Sequence, residues 1–182
     1  EGLYSLAITR FKDLRSGYPA SYWTTLAQLK IADSQFYSGN YSEAVSAYEE
    51  FINDHPGHEA LPYARYQIGK SFIKQYHNNL KDQSPLIQSV KKFNELLKLH
   101  KDTPYSSQAR RYIDRARELI ASYELQVAKY YKKQDQNFSA QNRITNIVNN
   151  YPDTAAAREA RLLLKEQGKD LNNKQDEIRK ER

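Results

Sequence analysis

His55 and His58 stand three residues apart in "HPGH", a spacing at which two imidazoles could begin a metal site. Such a site needs a third or fourth ligand, and Pro56-Gly57 reads as an exposed turn, so no metal is expected here. His77 and His100 stand alone and read as solvated. Glu43, Glu49 and Glu50 fall on the exterior of an amphipathic helix with nothing nearby to raise a carboxyl pKa, which argues against acid–base work. No Gly-rich phosphate loop and no serine-nucleophile motif is present. Cysteine is absent, which removes thiol chemistry, disulfides and zinc-finger ligands together. The expectation is a protein that is not an enzyme and carries no cofactor.

What remains is binding chemistry, and the elements that could present it. The 182 residues are 39% hydrophobic with a mean hydropathy of −0.90, low enough to raise the question of disorder. Fifteen Tyr, six Phe and one Trp answer it, because disordered segments are poor in aromatics. Tyrosine buries a ring while its hydroxyl still reaches water or a partner, which suits a thin, high-surface architecture. Lys and Arg number 28 against 22 acids, a net charge of +6. These charges are scattered at helical spacing near acids, so they read as a solvated face rather than a nucleic-acid footprint. No stretch approaches the roughly 20 apolar residues that a membrane-spanning helix requires. The first residues are Glu1-Gly2 rather than Met, which leaves room for a leader or anchor upstream.

One four-point pattern recurs along the chain. Ala44, Tyr48, Phe51 and Pro56 stand at offsets 0, 4, 7 and 12; so do Ala7, Phe11, Leu14 and Pro19, and again Ala140, Ile144, Ile147 and Pro152. A looser copy has Ser89, Phe93 and Leu96, with its proline three places late at Pro104. The pattern is that of the second helix of a tetratricopeptide repeat: a small residue lets the first helix approach, two larger ones fill the gap, and proline stops the helix. First helices carry Ile31-Ala32, Ile68-Gly69 and Val127-Ala128 in register. The fold expected is all-α, an α-solenoid of tetratricopeptide-like helix-turn-helix repeats. It comprises about ten helices and no strands, with one long connecting helix over 106–133, about 40 Å at 1.5 Å per residue. Residues 1–165 form the repeat domain, in halves of about 1–104 and 105–165. The segment 76–85 is a long loop inside an expanded repeat, and 166–182 is a charged tail.

In such repeats the concave face is the usual binding surface, lined from the first helices. The first-helix positions are Leu29, Asp33, Phe36 and Tyr37, then Tyr63, Tyr66, Lys70 and Lys74, then Leu125, Lys129, Lys132 and Lys133. With Tyr18, Tyr22 and Trp23 at the first junction, the aromatic members Tyr18, Tyr22, Trp23, Tyr37, Tyr63 and Tyr66 give way to lysines further on. That gradient suits an extended peptide with aromatic side chains and a negative end. Packing competes for about half of these positions.

The block "IASYELQVAKYYKKQDQNFSAQNRITNIVNNYPDTAAAREA" (120–160) resembles the C-terminal repeat of the BamD family, lipoproteins of the bacterial outer-membrane β-barrel assembly machinery. The likeness rests on Tyr123-Glu124 with Tyr130-Tyr131, on Asn142-Arg143, and on Tyr151-Pro152-Asp153-Thr154; Tyr18-Pro19 and 41–56 resemble the family's N-terminal repeats. It covers nearly the whole chain except the tail. The resemblance implies a scaffold on the periplasmic face of the outer membrane, held by a lipidated N-terminal Cys that these residues do not include. It implies binding to a BamA-like POTRA domain and to other subunits of the assembly complex. It also implies recognition of the C-terminal segments of unfolded outer-membrane proteins, with no nucleic acid involved. On this reading the six aromatics form the client groove. Arg143, with Arg158 and Arg161, meets an acidic patch on the partner, or else Arg143 pairs internally with Glu124 or Asp153. The alternative is another periplasmic repeat adaptor, of the kind that coordinates envelope constriction with peptidoglycan synthesis; that kind lacks the long 106–133 helix and the "NR…YPDT" block.

Overall fold

Three copies of the repeat pattern end their helices at the same distance from the small residue. In the computed structural model, which describes residues 2–19, 21–76 and 82–165, the residue eleven places after Ala44, Ser89 and Ala140 is the C-cap in every case: His55, His100 and Tyr151. Their backbone angles nearly coincide, with φ/ψ of −129/61, −140/67 and −131/46, and each N–H bonds the carbonyl four residues back, on Phe51, Leu96 and Ile147. His100 does this with no proline beside it. The late Pro104 therefore does not stop that helix, contrary to the expectation. The cap geometry ends it, and proline only makes continuation impossible where it follows.

Eight helices and no strands are found among the described residues: α1 (Gly2–Gly17), α2 (Tyr22–Tyr37), α3 (Tyr41–Asp54), α4 (Leu61–Gln75), α5 (Ser84–Leu99), α6 (Ser106–Lys133), α7 (Asn137–Asn150) and α8 (155–165). The count among the described residues is eight against the ten or so expected, while α6 runs unbroken through 28 residues over the expected range. The fold is all-α and tetratricopeptide-like, as the spacing implies. His77, residues 77–81 of the expected 76–85 loop and the 166–182 tail lie outside the described residues, and Ser84 and Pro85, expected in that loop, already belong to α5. Packing divides the chain into two compact units, the first ending at Ala116 and the second starting at Arg117, inside α6.

In the first unit α2 with α3 and α4 with α5 form helical hairpins. The repeat positions are its core: Ala44, Tyr48 and Phe51, and likewise Ser89, Phe93 and Leu96, have no measurable exposure. Ser89 stands where the other copies have Ala and turns its hydroxyl to use, donating to the Gly69 carbonyl at 3.0 Å. Between α2 and α3, Gly39 sits at φ 87, with the Asn40 N–H on the Gln35 carbonyl at 3.0 Å and the Gly39 N–H on that of Phe36 at 3.1 Å. This is a Schellman turn, and the left-handed residue it needs is the glycine. α1 carries the same offsets, yet Ala7, Phe11 and Leu14 are only half-buried and none of its residues is buried.

In the second unit the later part of α6 pairs with α7. The α6–α7 turn repeats the Schellman bonds with Asp135 at φ 57, its successor Gln136 donating to the Tyr131 carbonyl at 3.0 Å. The "YPDT" stretch resolves into two caps. Tyr151 closes α7, and Thr154 opens α8 by accepting the Ala157 N–H at 3.1 Å. Glu118 adds a carboxylate at the same helix start, accepting from Ala155 at 2.8 Å and from Ala156 at 3.3 Å, where a negative charge favours the exposed N–H groups. Ala156, Ala157 and Ala160 then let α8 lie close on Ile144, Ile147 and Leu125.

Candidate functional site

Ser21 fixes the first aromatic cluster by accepting the Trp23 N–H at 3.2 Å as the N-cap of α2, while the Thr24 hydroxyl donates to the Tyr18 carbonyl. Tyr18 and Tyr22 are each 70% exposed and Trp23 is 62% exposed; the Tyr22 and Trp23 rings meet edge-on at 5.7 Å. Further along α2, Leu26, Lys30 and Tyr37 are exposed too. Spacings of four, four and seven place Tyr22, Leu26, Lys30 and Tyr37 on one helical stripe, with Trp23 at its margin. At the far end Tyr37 stacks on Tyr4 of α1 with ring centres 6.4 Å apart, and meets Phe36 edge-on at 5.4 Å. The two aromatic ends lie about 22 Å apart along the helix axis. Lys30, between them, is tied to Asp33 at 2.9 Å. An exposed stripe of this length, aromatic at both ends, has the dimensions of an extended segment.

Tyr63 and Tyr66 do not join this stripe. Tyr66 is 6% exposed, in a core cluster with Phe93, Leu96, Ala109 and Ile113, and its hydroxyl donates to Gln108 at 2.6 Å. The start of α6 covers the face of α4 that a groove would have needed; Tyr105 and Tyr112 stand 5.1 and 6.3 Å from the Tyr66 ring. Burial pushes the Tyr66 phenol up to about 12. Tyr63 is half-buried, and its hydroxyl is committed to Asp33 at 2.8 Å. Leu29, Asp33, Phe36 and Leu125 are buried as well. Lys70 lies over the rings of Phe36 and Tyr66 at 5.0 and 5.8 Å, and burial, helped by Lys74, lowers its pKa. These positions are packing, which leaves Tyr18, Tyr22, Trp23 and Tyr37 as the presented aromatics.

The histidines are less exposed than their turn suggests. His55 bonds Gln28 at 2.9 Å and His58 accepts the Ala60 N–H at 3.0 Å, both rings resting on Phe51. His100 is half-buried rather than solvated; burial, then the Arg65 charge, lowers its pKa. Among the described residues no group of three or more potential metal ligands occurs, and no helix is long and apolar enough to cross a membrane.

In the second unit Arg143 projects from α7 into an open recess with Glu124, Tyr131, Ser139, Asn142 and Asn146. Its Nη1 donates to the Glu124 carboxylate at 2.6 Å, and its guanidinium lies 5.5 Å from the Tyr131 ring centre. The internal pair foreseen as one option is thus formed, with Glu124 rather than Asp153. Arg161 donates to the Pro152 carbonyl at 3.0 Å, and Arg158 is exposed. Arg143→Glu should lose a pair worth about 1 kcal/mol and add a repulsion of similar size, lowering the melting temperature by about 4–8 °C. A Glu124→Arg exchange in the same molecule should recover most of it. An unchanged melt in the single variant would show the pair to be inconsequential.

A sequence profile describing the YfiO outer membrane lipoproteins matches residues 1–182, the whole chain. The chain belongs to this family. Its curated relatives include the outer membrane protein assembly factor BamD of Xylella fastidiosa strain 9a5c, 28% identical over 96% of this chain and 63% of that protein. The BamD of Rickettsia prowazekii is 28% identical over 86% of this chain and 62% of its own length. That of Vibrio cholerae is 25% identical over 87% and 70%. The chain thus spans rather less than two thirds of the length of the first two. The likeness that the "NR…YPDT" block and its neighbours carry is thus matched by a family profile that spans the whole chain.

Proposed function

We propose that this YfiO-family chain is a non-enzymatic scaffold in the assembly of outer-membrane β-barrel proteins, acting on the periplasmic face of the outer membrane through a lipid anchor. The exposed aromatic stripe of α2 carries the reading. It receives the C-terminal segment of an unfolded barrel protein, whose alternate aromatic side chains lie against Tyr22, Trp23 and Tyr37. A stripe of about 22 Å accommodates six or seven extended residues at 3.3 Å each. The second unit contacts a BamA-like POTRA domain and other subunits of the assembly complex. There Arg143, held in orientation by Glu124 and Tyr131, offers its planar fork to an acidic patch, with Arg158 and Arg161 on the following helix.

A photo-crosslinking residue placed at Tyr22, Trp23 or Tyr37 tests the client reading, with the same residue at the exposed Ser46 of α3 as the control. A peptide with the alternating aromatics of a barrel C-terminus should be captured at the three stripe positions and not at Ser46. Equal capture of a scrambled peptide of the same composition would remove the support for a client groove.

A further inference from the structure

Among the described residues two lysines are half-buried, Lys92 and Lys70. Lys92 holds Glu49 at 2.7 Å, whereas Lys70 makes no ion pair, and neither does Lys74 one turn further along α4. The stem of Lys70 is packing; its charge is what that packing leaves over. The ammonium stands 5.0 Å from the centre of the Phe36 ring and 5.8 Å from that of Tyr66, so two aromatic rings steady it. Rings hold a cation without accepting all of its N–H groups, and an ammonium has three donors to place. Burial and then the Lys74 charge lower its pKa, and no acid counters them. A partly desolvated cation without a counter-charge is costly to keep.

This charge lies beside one end of the exposed stripe of α2. The Phe36 ring centre is 5.4 Å from that of Tyr37 and 5.0 Å from the Lys70 ammonium, so those two lengths together are the most that can separate Tyr37 from the charge. The stripe's own lysine, Lys30, is already tied to Asp33 at 2.9 Å. The free positive charge is therefore at the Tyr37 end.

We infer that Lys70, with Lys74 beside it, receives the free α-carboxylate at the end of the client chain and so fixes which way the client lies. This rests on the client reading of the α2 stripe. Stacked aromatic rings keep their centres about 4.5–7 Å apart, which leaves the rest of the gap to Lys70 within one residue's reach. In an extended segment the side chains on either side of an aromatic project to the opposite face. The acid nearest to an aromatic seated on Tyr37 is thus the main-chain carboxylate of that same residue, when it is the last. The client then runs back toward Trp23 and Tyr22, in the same N-to-C direction as α2. An aromatic six residues before the last, about 20 Å away at 3.3 Å per residue, lands at that far end. An internal copy of the same segment has no carboxylate to offer, so the site favours chain ends over internal stretches.

The test uses the full chain and a heptapeptide with phenylalanine at its first and last positions and serine and threonine between. It carries a fluorophore at its N-terminus and is made as the free acid and as the C-terminal amide. The acid should bind roughly tenfold or more tightly than the amide, as a charge-assisted contact predicts. Lys70→Met, which keeps a stem over the two rings, should bring the acid down to the amide and leave the amide unchanged. Lys70→Arg should retain the preference, and so should Lys91→Met on the exposed side of α5. An amide with glutamate as its penultimate residue should bind like the plain amide. A photoreactive last residue should mark the surroundings of Tyr37, and a photoreactive first residue those of Trp23. Equal binding of acid and amide, with both still captured on the stripe, would overturn this inference and leave the client reading standing. Recovery of tight binding by the glutamate peptide, an undiminished preference in Lys70→Met, or the reverse crosslinking pattern would overturn it as well. If neither peptide binds, the client reading falls and takes this one with it.

Discussion

Gly69→Ala should destabilise the first unit by about 1–2 kcal/mol, although alanine is the better helix former. A Cβ built on Gly69 would lie 2.6 Å from Cε1 of Phe93 and 2.8 Å from two more atoms of the same ring. That ring cannot swing away. It stacks on Tyr112 with centres 5.4 Å apart and planes 3° from parallel, meets Tyr66 at 5.9 Å, and is fully buried. The backbones cannot separate freely either, since Ser89 ties α5 to the Gly69 carbonyl. Overpacking of this kind costs about 1–3 kcal/mol, against which alanine's helix propensity returns about 1 kcal/mol at most. Phe93→Leu should be damaging alone, yet in the Gly69→Ala background it should cost less than alone, because the ring that clashes is gone. Chemical denaturation of the four proteins measures this coupling. Strict additivity would mean that the methyl is accommodated elsewhere and that Gly69 is not a packing requirement.

The crossing at Gly69 shows what the sequence makes legible. The offsets from Ala44, Ser89 and Ala140 locate the buried positions of three second helices, because a small residue at a helix crossing and the bulky residues one and two turns on are consequences of one geometry. The unbroken α6 could be read for a similar reason: no Gly or Pro interrupts 106–133. The surface was harder. A tyrosine at a first-helix position can line a groove or enter a core, and its composition is the same in both. Tyr66 and Tyr37 differ only in what covers them. Residues far along the chain, Tyr105 and Tyr112, cover Tyr66, whereas Tyr37 meets the rings of Tyr4 and Phe36 and stays 57% exposed. The spacing offers Lys92 its neighbour Glu95 three residues on, but could not reveal that it reaches Glu49 of α3 at 2.7 Å. Pairing among α3, α4 and α5 is a tertiary fact with no local periodicity.

The second large effect should appear in alkali. Tyr48 is fully buried, and its hydroxyl donates to Oδ1 of Asp33 at 2.7 Å; Tyr63 donates to the same oxygen at 2.8 Å, and Lys30 holds Oδ2 at 2.9 Å. Burial first, and the Asp33 charge next, push the Tyr48 phenol far above its ordinary value; burial and the hydrogen bond to Asp33 raise Tyr63 as well. Below about pH 10 these phenols are protonated in both folded and unfolded chains, so their contribution to stability is whole. Above it the unfolded chain releases the Tyr48 proton while the folded chain retains it. The native state then binds more protons, and stability falls by about 1.4 kcal/mol per pH unit from this group alone. Tyr63 adds a smaller loss of the same sign because water reaches it. Tyr48→Phe should lose about 1–2 kcal/mol near pH 8, where a charged acceptor forfeits a donor. Its stability should then decline less steeply with pH, so that the two curves converge by about pH 11. Lysines and the remaining tyrosines are common to both proteins and cancel in the difference. Urea unfolding at intervals from pH 8 to 11.5 measures it. Parallel curves would mean that Tyr48 ionises as readily folded as unfolded, and that the Asp33 cluster is open to water.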